Sequence, residues 1–227
     1  MYVTIPTEKE ALGRQIKLGT KPQAAGGATF KAGAYLYFEG DPVERLYAVK
    51  SGVLRLTRLL LDGRRQVIAF GYPGDIVGFP SDGLHHTDCD VLVETRVVAY
   101  PRSTLENPKA DPLLHQELLQ AALREIAAMQ DHFLMLGRKS AAERVASFLH
   151  ALSERVGEDF GPCRRVSLPM SRVDIADFLG LTTETVSRSL TQMRKANVIA
   201  INNIHTVVIL RPEALLGMSE GHGILAA

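Results

Sequence analysis

The sequence predicts an α+β protein in three parts: a run of short strands, one long amphipathic helix, and a small C-terminal domain of helices and a hairpin. Three observations carry this reading. Residues 26–104 combine β-branched or alternating apolar runs with frequent glycine turns, the pattern of a sandwich or β-roll rather than of βαβ units. From about Pro112 to Leu136 the apolar period becomes helical. Beyond Gly137, two short helical stretches separated by a glycine turn precede two short strands.

The strands of the first part are YLYF (35–38), RLYAV (45–49), GVLRLTRLLL (52–61), RQVIAFG (65–71) and DVLVETRVVAY (90–100). Glu39-Gly40-Asp41-Pro42, Asp62-Gly63 and Pro73-Gly74-Asp75 supply the turns. Alternate residues of a strand share a face. Cys89, Val91, Val93, Thr95, Val97 and Ala99 therefore read as a core face, with Cys89 a small buried hydrophobe. His86, Asp88 and Asp90 read as a solvated outer edge, although a metal could also use such a set.

On the long helix Leu119, Ile126 and Phe133 stand seven apart, and Ala122, Met129 and Leu136 form a second row three residues on. This is an a/d heptad pattern. It fits a helix packed on its own domain, but a strip of large apolar side chains between two domains favours a homodimer seam. Gly137 is placed to end the helix. Ser140 followed by Glu143 is a capping box that starts another, with Val145, Phe148, Leu149 and Leu152 on one face, running to about Arg155. The break at 137–139 thus reads as a hinge. A polar loop, GEDFGPCRR, and a short strand, RVSLPM, come next.

Ser171 can cap a helix carrying Val173, Ile175, Ala176, Phe178 and Leu179, which Gly180 ends. Thr182 is a good cap for a second helix over 183–196. Ala176 is small enough to let the two helices approach, Gly180 takes the turn, and Val186 locks the second helix onto the first. NVIAI and HTVVIL, joined at Asn202-Asn203, read as a wing. Glu184, Ser187 and Arg188 share the outer face of the second helix, while Val186, Leu190 and Met193 face the core. Arginine can bond guanine O6 and N7 in the major groove, and glutamate can accept from cytosine N4. Glu184, Ser187 and Arg188 are therefore candidate base readers. Arg172, Thr182, Thr183, Arg194, Lys195 and His205 are candidates for the DNA backbone. Charge agrees: residues 138–212 hold eleven Lys/Arg against seven Asp/Glu, while the rest of the chain holds 15 against 18.

Composition narrows the other classes. With 46% hydrophobic and 22% charged residues the chain reads as globular. Cys89 and Cys163 are too few for a disulfide framework and form no CxxC pair. Cys163 stands beside Arg164 and Arg165, cations that lower a thiol pKa, so it is either an incidental loop cysteine or a candidate redox site. MYVTIPTEKE lacks the pattern of a signal peptide and no apolar run reaches the ~20 residues of a membrane span, so a cytoplasmic location is expected. No Ser/His/Asp grouping, phosphate-cradling glycine loop or pair of catalytic acids suggests an enzyme.

Residues 171–210, and LPMSRVDIADFLGLTTETVSR above all, resemble the winged helix-turn-helix of the CRP/FNR superfamily of bacterial transcription regulators. Glu184-Thr185-Val186-Ser187-Arg188 is similar to the FNR-type reading set, on its FixK-like side; CRP-type members have Gly where Ser187 stands and usually Arg where Thr183 stands. The resemblance implies a β-roll of the cyclic-nucleotide-binding kind (a double-stranded β-helix) over 1–110, a dimerisation helix over 111–137 and a winged helix-turn-helix over 138–227. It further implies a homodimer that binds double-stranded DNA at TTGAT-N4-ATCAA, and activation through contact with RNA polymerase. The chain departs from the family's ligand signatures. Phe79 falls near the glutamate that cyclic-nucleotide binders use, and His85-His86 near their Arg-Ser pair, so cAMP binding is not expected. Two cysteines cannot supply a four-cysteine iron–sulfur site, so no cofactor is expected. An unidentified small-molecule effector in the roll remains the alternative. A cupin-like metalloenzyme is a remote one, because His85-His86-Thr87-Asp88-Cys89-Asp90 departs from the His-x-His pattern of that fold.

Overall fold

The computed structural model describes residues 27–222; the N-terminal stretch read for a leader lies outside the described residues. The described chain forms two compact units that divide between Met129 and Gln130. No helix among the described residues is long and apolar enough to cross a membrane.

The first unit is an antiparallel β-roll built from β1 (Ala28–Phe30), β2 (Tyr35–Tyr37), β3 (Arg45–Leu59), β4 (Arg65–Gly71), β5 (Ile76–Val77) and β6 (Asp88–Pro101). The sheet runs β1-β6-β3-β4, with β2 added to β6 and β5 to β3. A four-residue helix α1 (Ser103–Glu106) and the start of α2 (Pro112–Arg138) complete it. The strands predicted at 45–49 and 52–61 are one strand, bulged around Ser51 and Val53. Gly52 marks the bulge: its φ is +85°, and a Cβ there would run into Thr95 Oγ1 and the Glu94 carbonyl. Thr95, fully buried, accepts from Val53 N at 3.0 Å and donates to the Val93 carbonyl at 2.7 Å.

The predicted core face of β6 holds at Cys89, Val91, Thr95 and Val97, whereas Val93 is exposed, because the bulge opposite it breaks the alternation. The outer face is not a solvated edge throughout. Asp90 is buried, paired with Arg55 across the β3–β6 ladder through bonds of 3.1 Å (Nε–Oδ1) and 2.9 Å (Nη2–Oδ2). A buried carboxylate needs such a charged, bidentate partner. The core of the roll gathers Leu46, Ala48, Ile76, Val98 and Tyr100 under Leu114, Leu118 and Ala121 of α2.

The second unit holds the end of α2, then α3 (Ala141–Val156), β7 (Glu158–Phe160), β8 (Cys163–Ser167), α4 (Arg172–Leu179), α5 (Thr183–Lys195), β9 (Ile199–Asn203), β10 (Thr206–Ile209) and α6 (Pro212–Ser219). The Ser140–Glu143 capping box is formed, with Ser140 N donating to Glu143 Oε2 at 2.9 Å. Gly137 does not end α2, which runs one residue further. The polar loop predicted after α3 is largely a hairpin: Phe160 pairs Cys163 around Gly161-Pro162, and Gly161 takes the φ of +62° that the tight turn requires. β8 and β10 join this hairpin to the wing, in the order β7-β8-β10-β9. The wing turns at Ile204-His205 and not at Asn202-Asn203; Asn203 stays in the strand and its Oδ1 accepts from His205 N at 2.8 Å.

Candidate nucleic-acid interface

The helix-turn-helix is set by local hydrogen bonds. Ser171 accepts from Asp174 N at 3.1 Å, and Asp174 Oδ2 accepts from Ser171 N at 2.9 Å, which starts α4. Gly180, in the left-handed region at φ +61°, ends it, and Leu181 N donates to the Ala176 carbonyl at 3.0 Å. Thr182 then caps α5, its Oγ1 accepting from Thr185 N at 3.2 Å.

α5 is sharply two-sided. Val186, Leu190 and Met193 are buried together with Ser189, while Thr183, Glu184, Ser187 and Arg188 are exposed. The three predicted base readers therefore lie together on one open face. Glu184 Oε1 and Arg188 Nη1 are 3.8 Å apart, with side chains 80% and 70% exposed. Such a pair is worth about 0.3–0.5 kcal/mol, so either group is free to turn to a better partner.

The candidates for backbone contact fall into different settings. The Thr182 hydroxyl is committed to the cap, whereas Thr183 is free at the same helix start. Arg194 and Lys195 are exposed in the last turn, ~15 Å along the axis from Glu184, where cations also complement the helix dipole. Arg172 is half-buried and its Nη1 has no hydrogen-bond partner, and burial lowers its pKa. His205 is exposed at the wing turn, with Nδ1 3.1 Å from the Leu168 carbonyl.

The predicted seam residues of α2 also share a surface. Leu119, Ile126, Met129 and Phe133 are 47–77% exposed, and Ala122 and Leu136 are partly covered. Leu123, 57% exposed, belongs to the same strip although the seven-residue repeat does not include it. The opposite side of the helix, at Leu114, Leu118, Ala121, Ala128 and Met135, is buried.

Cys163 is partly exposed at the start of β8, whereas Cys89 is fully buried and its thiol is pushed up to about 12 by that burial. In the roll, His85 is stacked on Tyr37 with centroids 3.6 Å apart, and burial lowers its pKa. A cavity of about 180 Å³ lies beside it, lined by Tyr37, Asp41, Glu44, Arg45 and Tyr47 among others. The outward His-Asp-Asp set is drawn into separate networks: His86 Nε2 is 3.2 Å from Arg58 Nη1, Asp88 accepts from Glu39 N at 2.8 Å, and Asp90 pairs with Arg55. Phe79 packs against the roll core.

Comparison with known proteins agrees with this geometry. Residues 143–218 match the Crp-like helix-turn-helix domain, and residues 28–107 the cyclic nucleotide-binding domain. The nitrogen fixation regulation protein FixK of Rhizobium meliloti (strain 1021) is 42% identical over 188 residues, 83% of this chain and 84% of that protein. The transcriptional activatory protein AadR of Rhodopseudomonas palustris is 39% identical over 167 residues, 73% of this chain and 70% of that one. The structure of FixK2 from Bradyrhizobium japonicum superposes with a TM-score of 0.76 at 35% identity, over 89% of this chain and 98% of that one. With a β-roll, a two-sided second helix behind a glycine turn, and relatives of this likeness over most of its length, the chain belongs to the CRP/FNR family of DNA-binding transcription regulators.

Proposed function

We propose that the protein is a cytoplasmic homodimeric activator that reads TTGAT-N4-ATCAA with Glu184, Ser187 and Arg188, and needs neither cAMP nor an iron–sulfur cluster. The observation that carries this is the face of α5 on which those three side chains stand exposed together while Val186, Leu190 and Met193 anchor the helix from behind. Arg188 supplies donors for a guanine, and Glu184 an acceptor for a cytosine amino group. Thr183, Arg194, Lys195, Arg172 and the wing at His205 hold the phosphates. The strip from Leu119 to Phe133 is the two-fold seam, which places two copies of α5 about one DNA turn, ~34 Å, apart. Within this reading residues 1–110 are the sensor-like domain, 111–137 the dimerisation helix and 138–227 the DNA-binding domain. AadR, named as an activatory protein, supports activation, which proceeds through surface loops that touch RNA polymerase.

The second reading is a regulator gated by a small molecule in the roll. The cavity beside His85 favours it only for a small ligand: at about 180 Å³ it is below the ~300 Å³ at which drug-sized ligand sites begin.

The test is fluorescence anisotropy with a labelled TTGAT-N4-ATCAA duplex at about 0.15 M salt, without added ligand, beside a duplex with scrambled half-sites. Selective binding supports the first reading. Equal binding to both duplexes overturns it, and selection from random duplexes then separates a wrong half-site from an unloaded sensor.

A further inference from the structure

The C-terminal end of α4 is held by side chains from other helices. Because Gly180 leaves α4 in the left-handed region, both Gly180 N and Leu181 N return to the Ala176 carbonyl. The last carbonyls, at Phe178 and Leu179, are orphans of the helix end and need outside donors. Arg144, near the start of α3, donates from Nη1 to the Leu179 carbonyl at 3.1 Å. His132, near the end of α2, lies against the Phe178 ring, with centroids 4.3 Å apart.

The same guanidinium reaches two more carbonyls. Arg144 Nη2 donates to Leu136 O at 2.7 Å, and Nε to Lys139 O at 2.9 Å. Both belong to the C-terminal end of α2 and the short link after it. One cation thus caps the ends of two helices at once, where it also meets both negative dipole ends. A planar fork with several fixed donors can do this; an ammonium on a flexible stem cannot hold the three carbonyls in one plane. Gly180 lies against this cluster: a Cβ there would stand in ordinary contact with Arg144 Nη1 and Leu136 Cδ2, each at 3.6 Å, so it is the left-handed backbone and not space that calls for glycine. Burial lowers the His132 pKa to about 4, and its Nδ1 is buried without a hydrogen-bond partner.

We infer that Arg144, supported by His132, is a positioning residue that fixes the recognition helix on the end of α2 and thereby sets the half-site spacing the dimer accepts. Neither residue faces the α5 surface that carries the base readers. They act through α4: its end leads through Gly180 directly into the Thr182 cap and α5. The break at 137–139 is on this account no free hinge but a clamped joint, and Lys139 adds a second tie, its Nζ donating to Ser147 Oγ and to the Ser219 carbonyl, each at 2.8 Å. The spacing claim rests on the dimer and half-site proposed above; the clamp itself does not.

The experiment compares wild type, Arg144→Gln, Arg144→Lys and His132→Gln in two arms. Amide hydrogen exchange needs no DNA. In Arg144→Gln, exchange at Lys139, Gly180 and Leu181 should rise about tenfold while β9 and β10 are unchanged, with a smaller rise in Arg144→Lys. Anisotropy with N3, N4 and N5 spacers forms the second arm. Arg144→Gln should lose most of the preference for one spacer, at least about fivefold, yet still prefer an intact half-site over a scrambled one. Unchanged exchange at those amides, a rise spread evenly over residues 130–222, or full rescue by lysine would overturn the clamp. Altered exchange with spacer preference intact would overturn its role in spacing. Should wild type itself fail to select the palindrome, the half-site is wrong or the sensor is unloaded; the exchange arm still decides the clamp, and the spacer series is repeated on a duplex from random selection.

Discussion

Phe133→Ala tests the proposed dimer at its most exposed apolar residue. Phe133 is 77% exposed, the largest value on the strip. A phenylalanine offers about 200 Å² of surface, so about 150 Å² is available for a partner to cover. Alanine keeps about a third of that, which leaves about 100 Å² lost per subunit and, at about 25 cal/mol per Å², about 2.5 kcal/mol. A two-fold seam counts the loss twice, about 5 kcal/mol in all, which is between three and four decades in the dimer dissociation constant, as an upper value. Sedimentation equilibrium across a concentration series measures it directly. Leu113→Ala is the control: the residue is 80% exposed on the same helix but lies about 120° around from Leu119, so its loss should change dissociation less than about threefold. Equal effects of the two substitutions, or none from Phe133→Ala, would refute the seam. Ordinary thermal stability in Phe133→Ala would show that the effect lies in association and not in folding.

Three further outcomes are expected. Arg188→Ala should lose ~1–3 kcal/mol of preference for the G·C pair with little change on scrambled DNA, and Glu184→Ala should relax specificity more than affinity; equal losses on all duplexes, read by anisotropy, would make both side chains structural. In the folded protein a thiol reagent should modify Cys163 and spare Cys89, whose burial holds it protonated up to about 12; rapid double labelling in mass spectra of the native protein would contradict the core placement. His132 should make the protein less stable as pH falls. The unfolded chain takes up this proton as pH passes its ordinary 6.5, and the folded chain only near 4, so stability drains across that window by up to about 3 kcal/mol and is flat below it. Denaturant melts of wild type against His132→Gln isolate this residue from Glu125, whose carboxyl is raised to about 7 by burial, and parallel pH curves would remove the assignment.

What the sequence revealed was what local hydrogen bonding decides. Ser140 with Glu143, Ser171 with Asp174, Gly180 and Thr182 each act within a few residues, so caps and the helix-turn-helix were legible. What it concealed depends on distant strands or subtle drift. Gly52 reads as the first residue of a separate strand, yet it sits in a bulge of one continuous strand with Thr95 across the ladder. Asp90 resembles a solvated residue, yet Arg55 stands opposite it. β1 and β5, three and two residues long, carry too little pattern to be seen. Leu123 lies off the strict seven-residue repeat, from which a helix of 3.6 residues per turn drifts by about 20° per heptad, so that repeat does not reveal it. Arg144 carries no motif at all; its role exists only where two helix ends meet.

The carboxylate on the reading face is the feature that general electrostatics explains least well and specificity best. Near phosphates Glu184 is repelled, so any affinity it contributes must come from a base that donates to it. Its nearest counter-charge, Arg188 at 3.8 Å, is too exposed and too weakly held to justify its place on stability grounds. A wrong base leaves Glu184 desolvated and unpartnered beside a polyanion, and also leaves Arg188 to choose between its neighbour and the DNA. The correct base satisfies both at once. Discrimination by this pair therefore comes largely from the penalty on mismatched sites, and Glu184→Ala should strengthen binding to scrambled DNA even as it weakens selection of the proper half-site. That rise on scrambled DNA separates a reading carboxylate from a merely structural one, whose loss could only weaken both.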